Sequence, residues 1–127
     1  MQLTISAAIK ARWGHRVDGL IHTHAWTLEA TVSGPADAPK VYPADNLEAV
    51  LHDVVEPWQG NYLTHEDVGH WKGYDPLLWE NEPTVEEICR VLWAELENRL
   101  PDLIRVSLTE ADEFDRHRTV ALTALRS

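Results

Sequence analysis

The sequence predicts an α+β fold in which an antiparallel four-stranded sheet carries two helices on one face. Apolar and polar side chains alternate, as in half-buried strands, in residues 3–9, 22–33, 104–110 and about 116–125. Apolar stripes at helical spacing follow capping residues in two other segments, 45–57 and 84–100. The order strand–strand–helix–helix–strand–strand predicts two antiparallel hairpins. Together they form one sheet, and the two helices cover one of its faces.

The first two strands differ in what their inner faces carry. The first places only Leu3, Ile5, Ala7 and Ile9 on one face, and residues 10–19 are predicted to be a loop. In the second strand, the face that continues into the apolar positions Trp26 and Leu28 begins with His22 and His24. Two imidazoles on an inner strand face therefore mark a candidate site.

The two helices are bounded by capping residues and prolines. Asp45 and Glu48 predict a capping box at the first helix, and Pro57 ends it. Thr84 and Glu87 predict another at the second helix. Residues 58–82, between the helices, are predicted to form a long connection, and connections of this length are often functional.

Length and composition restrict the class of protein. The 127 residues and 44% hydrophobic content predict one globular domain over 1–127. A net charge of −10 argues against nucleic acid and anionic membranes, and no apolar run is long enough to span a bilayer. A single cysteine, Cys89, excludes an internal disulfide and favours a cytoplasmic location. The open edges of a four-stranded sheet favour a homo-oligomer.

Several short segments, in this order, resemble the 6-pyruvoyltetrahydropterin synthase and 6-carboxytetrahydropterin synthase family of T-fold enzymes. The segments are "ISAAI" in the first strand, "LIHTHAW", "KVYPADNLEAVL", "NEPTVEEI" and "SLTEA". The most specific of them is "NEPTVEEI", which resembles the family's Asn-Pro-Thr-x-Glu helix start. The resemblance covers nearly the whole chain and implies trimeric barrels stacked into hexamers.

The resemblance also implies a zinc site made of three histidines, one from the first strand and two from a His-x-His pair. By position the pair is His22 and His24, whereas the first-strand position falls on Ile9, which cannot bind a metal. His15, in the predicted loop, is the nearest candidate for a third ligand. The alternative is a pair of hydrogen-bonded histidines at the mouth of a pocket, with His15 exposed.

Other functional positions of the family carry over in part. Asp18 stands where the family has a cysteine base, although an Asp-Gly pair is also a turn signal. Glu110 aligns with the glutamate that binds the pterin ring, although an arginine could pair with it instead. Gln59 and Gly60 occupy the positions of a catalytic Asp-His pair, which His65 and His70 could replace.

These features predict a diverged lyase or cyclase. It would carry out acid–base chemistry (elimination, cyclisation or isomerisation) on a small, planar or aromatic metabolite other than the usual pterin triphosphate. Asp18, His22 and His24 would be catalytic, Glu110 would bind substrate, and His15, His22 and His24 would hold zinc. The alternatives are a non-catalytic small-molecule-binding protein and an ordinary zinc-dependent pterin synthase with a shifted ligand alignment.

Overall fold

The two longest strands form one hairpin around a two-residue turn. A computed structural model describes residues 1–39, 41–112 and 119–126, and of Asp112, Thr119 and Val120 it describes the backbone. Strands β1 (Gln2–Val17) and β2 (Leu20–Pro35) pair antiparallel along their whole length. Asp18 and Gly19 connect them with φ of 54° and 79°. Positive φ at both central residues is the type I′ geometry, which suits the twist of a hairpin and which Asp-Gly favours.

The sheet has six strands in the order β4-β3-β1-β2-β5-β6. The remaining strands are β3 (Asn61–Thr64), β4 (Asp75–Leu78), β5 (Leu103–Asp112) and β6 (Thr119–Leu125). β3 runs parallel to both β1 and β4, and the other pairs are antiparallel. The prediction of a purely antiparallel four-stranded sheet was therefore wrong. The two added strands lie in the 58–82 connection and have four residues each, too few for alternation to be visible in the sequence.

β1 is about twice as long as the sequence suggested, because residues 10–17 continue the strand. Alternation persists there, with Ala11, Trp13 and His15 buried while Arg12 points outward. Gly14 interrupts the pattern for a packing reason. A Cβ at this position would lie 3.0 Å from the Cβ of Tyr62, so glycine lets β3 approach β1.

The helices, α1 (Ala44–Val55) and α2 (Val85–Arg99), both lie on one face of the sheet. Half of the capping box predicted at α2 is present: Thr84 Oγ1 accepts the backbone N–H of Glu87 at 3.1 Å, whereas the backbone N–H of Thr84 donates to the carbonyl oxygen of Glu82. The predicted capping box of α1 is wrong: Pro43 occupies the N-cap position, and Asp45 lies within the first turn. A short 3-10 helix, Glu56–Trp58, follows α1 directly. Pro57 lies within this 3-10 helix, two residues beyond the end of α1.

The core lies between the inner face of the sheet and the two helices. Its fully buried members include Leu28 and Ala30 from β2, Leu51 from α1, and Leu92 and Leu96 from α2. No helix in the described part of the chain is long and apolar enough to cross a membrane. Toward the hairpin turn the inner face passes from this apolar core to polar side chains, and a pocket opens there.

Candidate metal and substrate site

The pocket at the hairpin turn brings together every residue predicted for the site. It has a volume of about 420 Å³ and is lined by β1, β2, β5 and the first turn of α2. The predicted residues among its lining are His15, Asp18, His22, His24 and Glu110. The others are Val17, Leu20, Thr84, Val85 and Glu86.

Strand register explains why these side chains converge. His15 pairs directly with His22 across β1 and β2, and Glu110 of β5 pairs with Trp26. Directly paired residues in neighbouring strands point to the same face of a sheet, as do residues two apart along one strand. His24, two residues from both His22 and Trp26, therefore falls between His15 and Glu110.

His15 is held in one orientation by a backbone carbonyl. Its Nδ1–H donates to the carbonyl oxygen of Pro83 at 2.8 Å, immediately before the α2 cap. The pKa of His15 is lowered from 6.5 to about 4, chiefly by burial and to a smaller extent by the neighbouring imidazoles of His24 and His22, whereas the Pro83 hydrogen bond acts in the opposite direction. At neutral pH the ring is therefore uncharged, with its proton on Nδ1 and the lone pair of Nε2 facing His24.

Three donor atoms surround a common point. The Nε2 atoms of His15 and His24 are 3.1 Å apart, and Glu110 Oε2 lies 3.7 Å from the first and 3.5 Å from the second. The centre of a triangle with these sides is about 2.0 Å from each corner, within the roughly 2.0–2.2 Å of zinc–nitrogen and zinc–oxygen bonds. Among the described residues, this is the group of histidine, cysteine and carboxylate side chains close enough to hold a metal. The donor set therefore fits zinc.

Trp26 forms the support beneath both buried imidazoles. Its ring lies edge-on to those of His15 and His24, with ring centroids 5.2 Å away in each case. Its own Nε1–H donates to the carbonyl oxygen of Trp13 at 2.9 Å, and the two indole rings stack at 4.8 Å. A site built on regular strands over a fully buried tryptophan pair is pre-organised for ligand binding.

His22 and Asp18 lie at the rim of the pocket, where both are exposed. The ring centroid of His22 is 6.2 Å from that of His15 and 6.1 Å from that of His24. Asp18 is the first central residue of the type I′ turn, as the Asp-Gly pair predicted, and it also lines the pocket. Its role as a base stays a prediction. Two titratable side chains at the rim therefore face a buried group that can bind a metal.

The two first-strand positions considered for a metal ligand lie in different surroundings. Ile9 is buried in the apolar core opposite Leu28, whereas His15, six residues further along β1, lines the pocket. The prediction that residues 10–19 form a loop was wrong for residues 10–17. Once β1 extends to Val17, His15 falls on the inner face together with the His-x-His pair.

The remaining polar candidates do not line this pocket. Gln59 and Gly60 lie between the 3-10 helix and β3, where both hydrogen-bond to the backbone of Arg12. In the loop between β3 and β4, His70 Nδ1 contacts Asp75 at 2.9 Å, and a ring nitrogen of His65 lies 3.3 Å from the Trp79 carbonyl oxygen. Cys89 packs inside α2, and burial raises the pKa of its thiol.

The first turn of α2 is the part of the site that sequence reasoning missed. Pro83 orients His15, and Thr84, Val85 and Glu86 line the pocket wall. The signal was present, because the most specific of the recognised motifs, "NEPTVEEI", covers this turn. It was interpreted as a helix start alone, since nothing in the sequence showed which strand the turn would face.

Comparison with known proteins identifies the family. The model of the family described as 6-pyruvoyl tetrahydropterin synthase matches residues 4–115. The chain belongs to this family. A search of curated proteins found no match to the chain. The resemblance inferred from the sequence motifs is confirmed.

Solved structures of 6-pyruvoyl tetrahydropterin synthases share the fold. The enzyme of Caenorhabditis elegans matches with a TM-score of 0.68 and 14% identity, over 100% of this chain and 97% of that one. The enzyme of Plasmodium vivax matches at 0.62 and 10%, over 99% and 98%. A catalytic-residue mutant of the latter, with a glutamate replaced by alanine, matches equally well. At these identities the likeness establishes the α+β fold with two helices on a sheet.

Proposed function

We propose that this member of the 6-pyruvoyl tetrahydropterin synthase family is a diverged lyase or cyclase that carries out acid–base chemistry on a small, planar metabolite. The observation that supports the proposal is the convergence of His15, His22, His24, Asp18 and Glu110 on one pocket of about 420 Å³. Elimination, cyclisation and isomerisation each need a proton removed at one atom and returned at another. The pocket offers groups for both transfers.

Each side chain has a role in this proposal. His15 and His24 would hold a zinc ion, which when bound would supply Lewis-acid chemistry that makes a proton of the substrate more acidic. Asp18 accepts the proton from the substrate, and His22 returns one from the solvent side of the pocket. Glu110 accepts a hydrogen bond from a ring N–H of the substrate. The Plasmodium vivax enzyme has a glutamate as a catalytic residue, which supports an acidic side chain as a catalytic group here.

The charge of the pocket favours a substrate without a triphosphate. Its described lining contains three carboxylates, Asp18, Glu86 and Glu110, and no lysine or arginine. The whole chain carries −10, so no long-range field attracts a polyanion. A neutral planar ring could instead donate its N–H groups to the carboxylates and pack against the imidazole rings.

A second candidate function is binding without turnover. Gln59 and Gly60, at the positions of the family's Asp-His pair, support it because neither can replace a proton-transferring histidine. Such a protein would keep the pocket and Glu110 and would release its ligand unchanged.

An activity assay separates these functions. The purified zinc-loaded protein is incubated with dihydroneopterin triphosphate and, separately, with unphosphorylated dihydroneopterin, and products are followed by chromatography. We expect very slow or absent turnover of the triphosphate and faster conversion of the unphosphorylated ring. His24→Ala should abolish conversion, whereas Thr27→Ala, on the opposite face of the same strand, should not.

Three outcomes would argue against the proposed enzyme. Rapid turnover of the triphosphate would indicate an ordinary pterin synthase. Stoichiometric ring binding without product, from wild type and Thr27→Ala alike, would indicate a binding protein. Equal activity of His24→Ala and wild type would show that the pocket is not the active site.

We also propose that the chain assembles into trimers and hexamers. The described sheet ends at β4 and β6, whose outer edges are free to hydrogen-bond to a neighbouring strand. Light scattering at micromolar concentration should give a mass three or six times 14.5 kDa. A monomer would contradict the proposal. Two further proposals concern domain and location. The single core of the described residues supports one domain, and the free, buried Cys89 supports a cytoplasmic location.

A further inference from the structure

We propose that the N-cap of α2 positions the pocket histidine His15, and that Thr84 is the positioning residue. The hydroxyl of Thr84 acts through the backbone, because it helps to fix the carbonyl group of Pro83, which in turn holds the ring of His15. The inference rests on the proposed function only for its effect on zinc, since the hydrogen bonds that support it join atoms of the chain itself.

The contact between the start of α2 and β1 is a buried hydrogen bond from a side chain to the backbone. His15 Nδ1–H donates to the Pro83 carbonyl oxygen at 2.8 Å, and the two residues lie 68 positions apart in the chain. The side chain of His15 is only 6% exposed, so water does not compete for this bond. A carbonyl oxygen can only accept, so the proton of the neutral ring lies on Nδ1 and the lone pair of Nε2 faces the pocket.

Three local features fix the direction of the Pro83 carbonyl. The pyrrolidine ring fixes φ of Pro83. The backbone N–H of Thr84 donates to the Glu82 carbonyl oxygen at 2.9 Å, which closes a γ-turn with Pro83 at its centre. Thr84 Oγ1 then accepts the N–H of Glu87 at 3.1 Å, and the Thr84 carbonyl oxygen accepts that of Ile88 at 2.9 Å. The cap is the one of these features that a side-chain hydroxyl provides.

The helix behind the cap is fixed to the core of the protein. Ile88, Leu92 and Leu96 of α2 are fully buried, and Pro83 is buried as well. The cap therefore connects a rigid element to the pocket, which is what a pre-organised site requires. The connection has a low entropic cost, because a backbone acceptor has no side-chain rotamers to lose.

Loss of the cap should let the ring of His15 change its tautomer. Without a fixed carbonyl at Nδ1, the proton can reside on Nε2, which then has no lone pair to offer a metal. Hydrogen bonds to the second nitrogen of a metal-binding histidine contribute about 10–100-fold to metal affinity. The segment "NEPTVEEI" would thus do more than start a helix, because it would also orient an imidazole of the pocket.

The tautomer of His15 tests the inference without any metal. Long-range proton–nitrogen NMR spectra of the metal-stripped protein at neutral pH report which ring nitrogen is protonated. Thr84→Val removes the hydroxyl and keeps the side-chain shape, Thr84→Ser keeps the hydroxyl, and the control Ile88→Val removes one buried methylene group from the same helix. We expect a single Nδ1–H tautomer in wild type, Thr84→Ser and Ile88→Val, and a mixture of both tautomers in Thr84→Val.

Zinc affinity, measured against a chromophoric chelator, provides the second test. Thr84→Val should bind zinc at least about tenfold more weakly than wild type, whereas Thr84→Ser and Ile88→Val should stay close to wild type. Thermal melts of the metal-stripped proteins should show that Thr84→Val and Ile88→Val each lower the melting temperature by a few degrees. A difference between their zinc affinities therefore reports positioning rather than stability. Thr84→Ala replaces Thr84→Val if the latter does not fold.

The inference is wrong if Thr84→Val keeps the single Nδ1–H tautomer, or if Ile88→Val mixes the tautomers and loses zinc to the same extent. Absence of zinc binding in wild type would instead refute the metal site of the proposed function. The tautomer of His15 in the metal-stripped proteins would then still decide whether Thr84 positions the ring.

Discussion

The two ends of the β1–β2 hairpin share one inner face but use it differently. At the open end the face carries Ile9, Leu28 and Ala30, which are buried beneath the helices. At the turn end the same face carries His15, His22 and His24, which line a pocket. The stacked rings of Trp13 and Trp26 separate the two.

The difference lies in what covers each end. Both helices pack over the apolar end, whereas only the first turn of α2 reaches the turn end. An uncovered end keeps contact with water, so polar side chains there avoid the full cost of burial. Strand alternation thus selects the face, and helix placement decides whether that face becomes core or site.

The largest effect on stability is expected at the covered end. Leu28→Ala should lower the free energy of unfolding by about 2–5 kcal/mol, because it leaves a cavity under the helices. His24→Ala, on the same face of the same strand, should cost about 1 kcal/mol, since water from the pocket can replace its hydrogen bonds. Urea unfolding of the two variants checks the contrast. Equal losses would mean that the turn end is core as well.

The next effect is a pH dependence from His15. Its pKa is about 4 in the folded chain and 6.5 when unfolded, so between these values the unfolded state binds the extra proton. The contribution of neutral His15 to the free energy of unfolding is therefore fully present above pH 6.5. It falls by about 3 kcal/mol as the pH drops to 4, because each unit of pKa difference corresponds to about 1.36 kcal/mol. Metal-stripped wild type should show this slope in excess of His15→Asn. Parallel profiles of the two proteins would contradict it.

The smallest effect on stability is expected in the turn. Asp18→Asn should change the free energy of unfolding by less than about 0.5 kcal/mol, because asparagine also accepts the positive φ of 54°. If Asp18 accepts the substrate proton, kcat should nevertheless fall by about 100-fold to 10,000-fold. Paired melting and rate measurements separate the two roles. An unchanged kcat would leave Asp18 with the turn alone.

Sequence patterns predicted the elements that are long and periodic. The two helices and the alternating parts of β1, β2 and β5 were found because burial on one side leaves a repeat in the sequence. β3 and β4 were missed because four residues hold only two inward positions. The extent of β1 was misjudged at Gly14, where close approach of Tyr62, rather than a turn, requires glycine.

The site was predicted in composition but not in arrangement. His24, Glu110 and Asp18 were named from motif positions, and the structure places all three in one pocket. What the sequence could not show is distance. The ring of His15 lies nearer to that of His24 than the ring of His22 does, and the Pro83 carbonyl orients His15. Both facts depend on tertiary packing, including the position of α2 on the sheet.

The two-residue turn at Asp18 and Gly19 has a consequence for how this chain can change over evolution or by engineering. Because the turn sets the register of β1 against β2, one inserted residue must either bulge out or shift every pair. A shift by one would turn His22 and His24 to the opposite side of the sheet. Point substitutions around the pocket can therefore accumulate one at a time, whereas the length of this connection is fixed by the site itself.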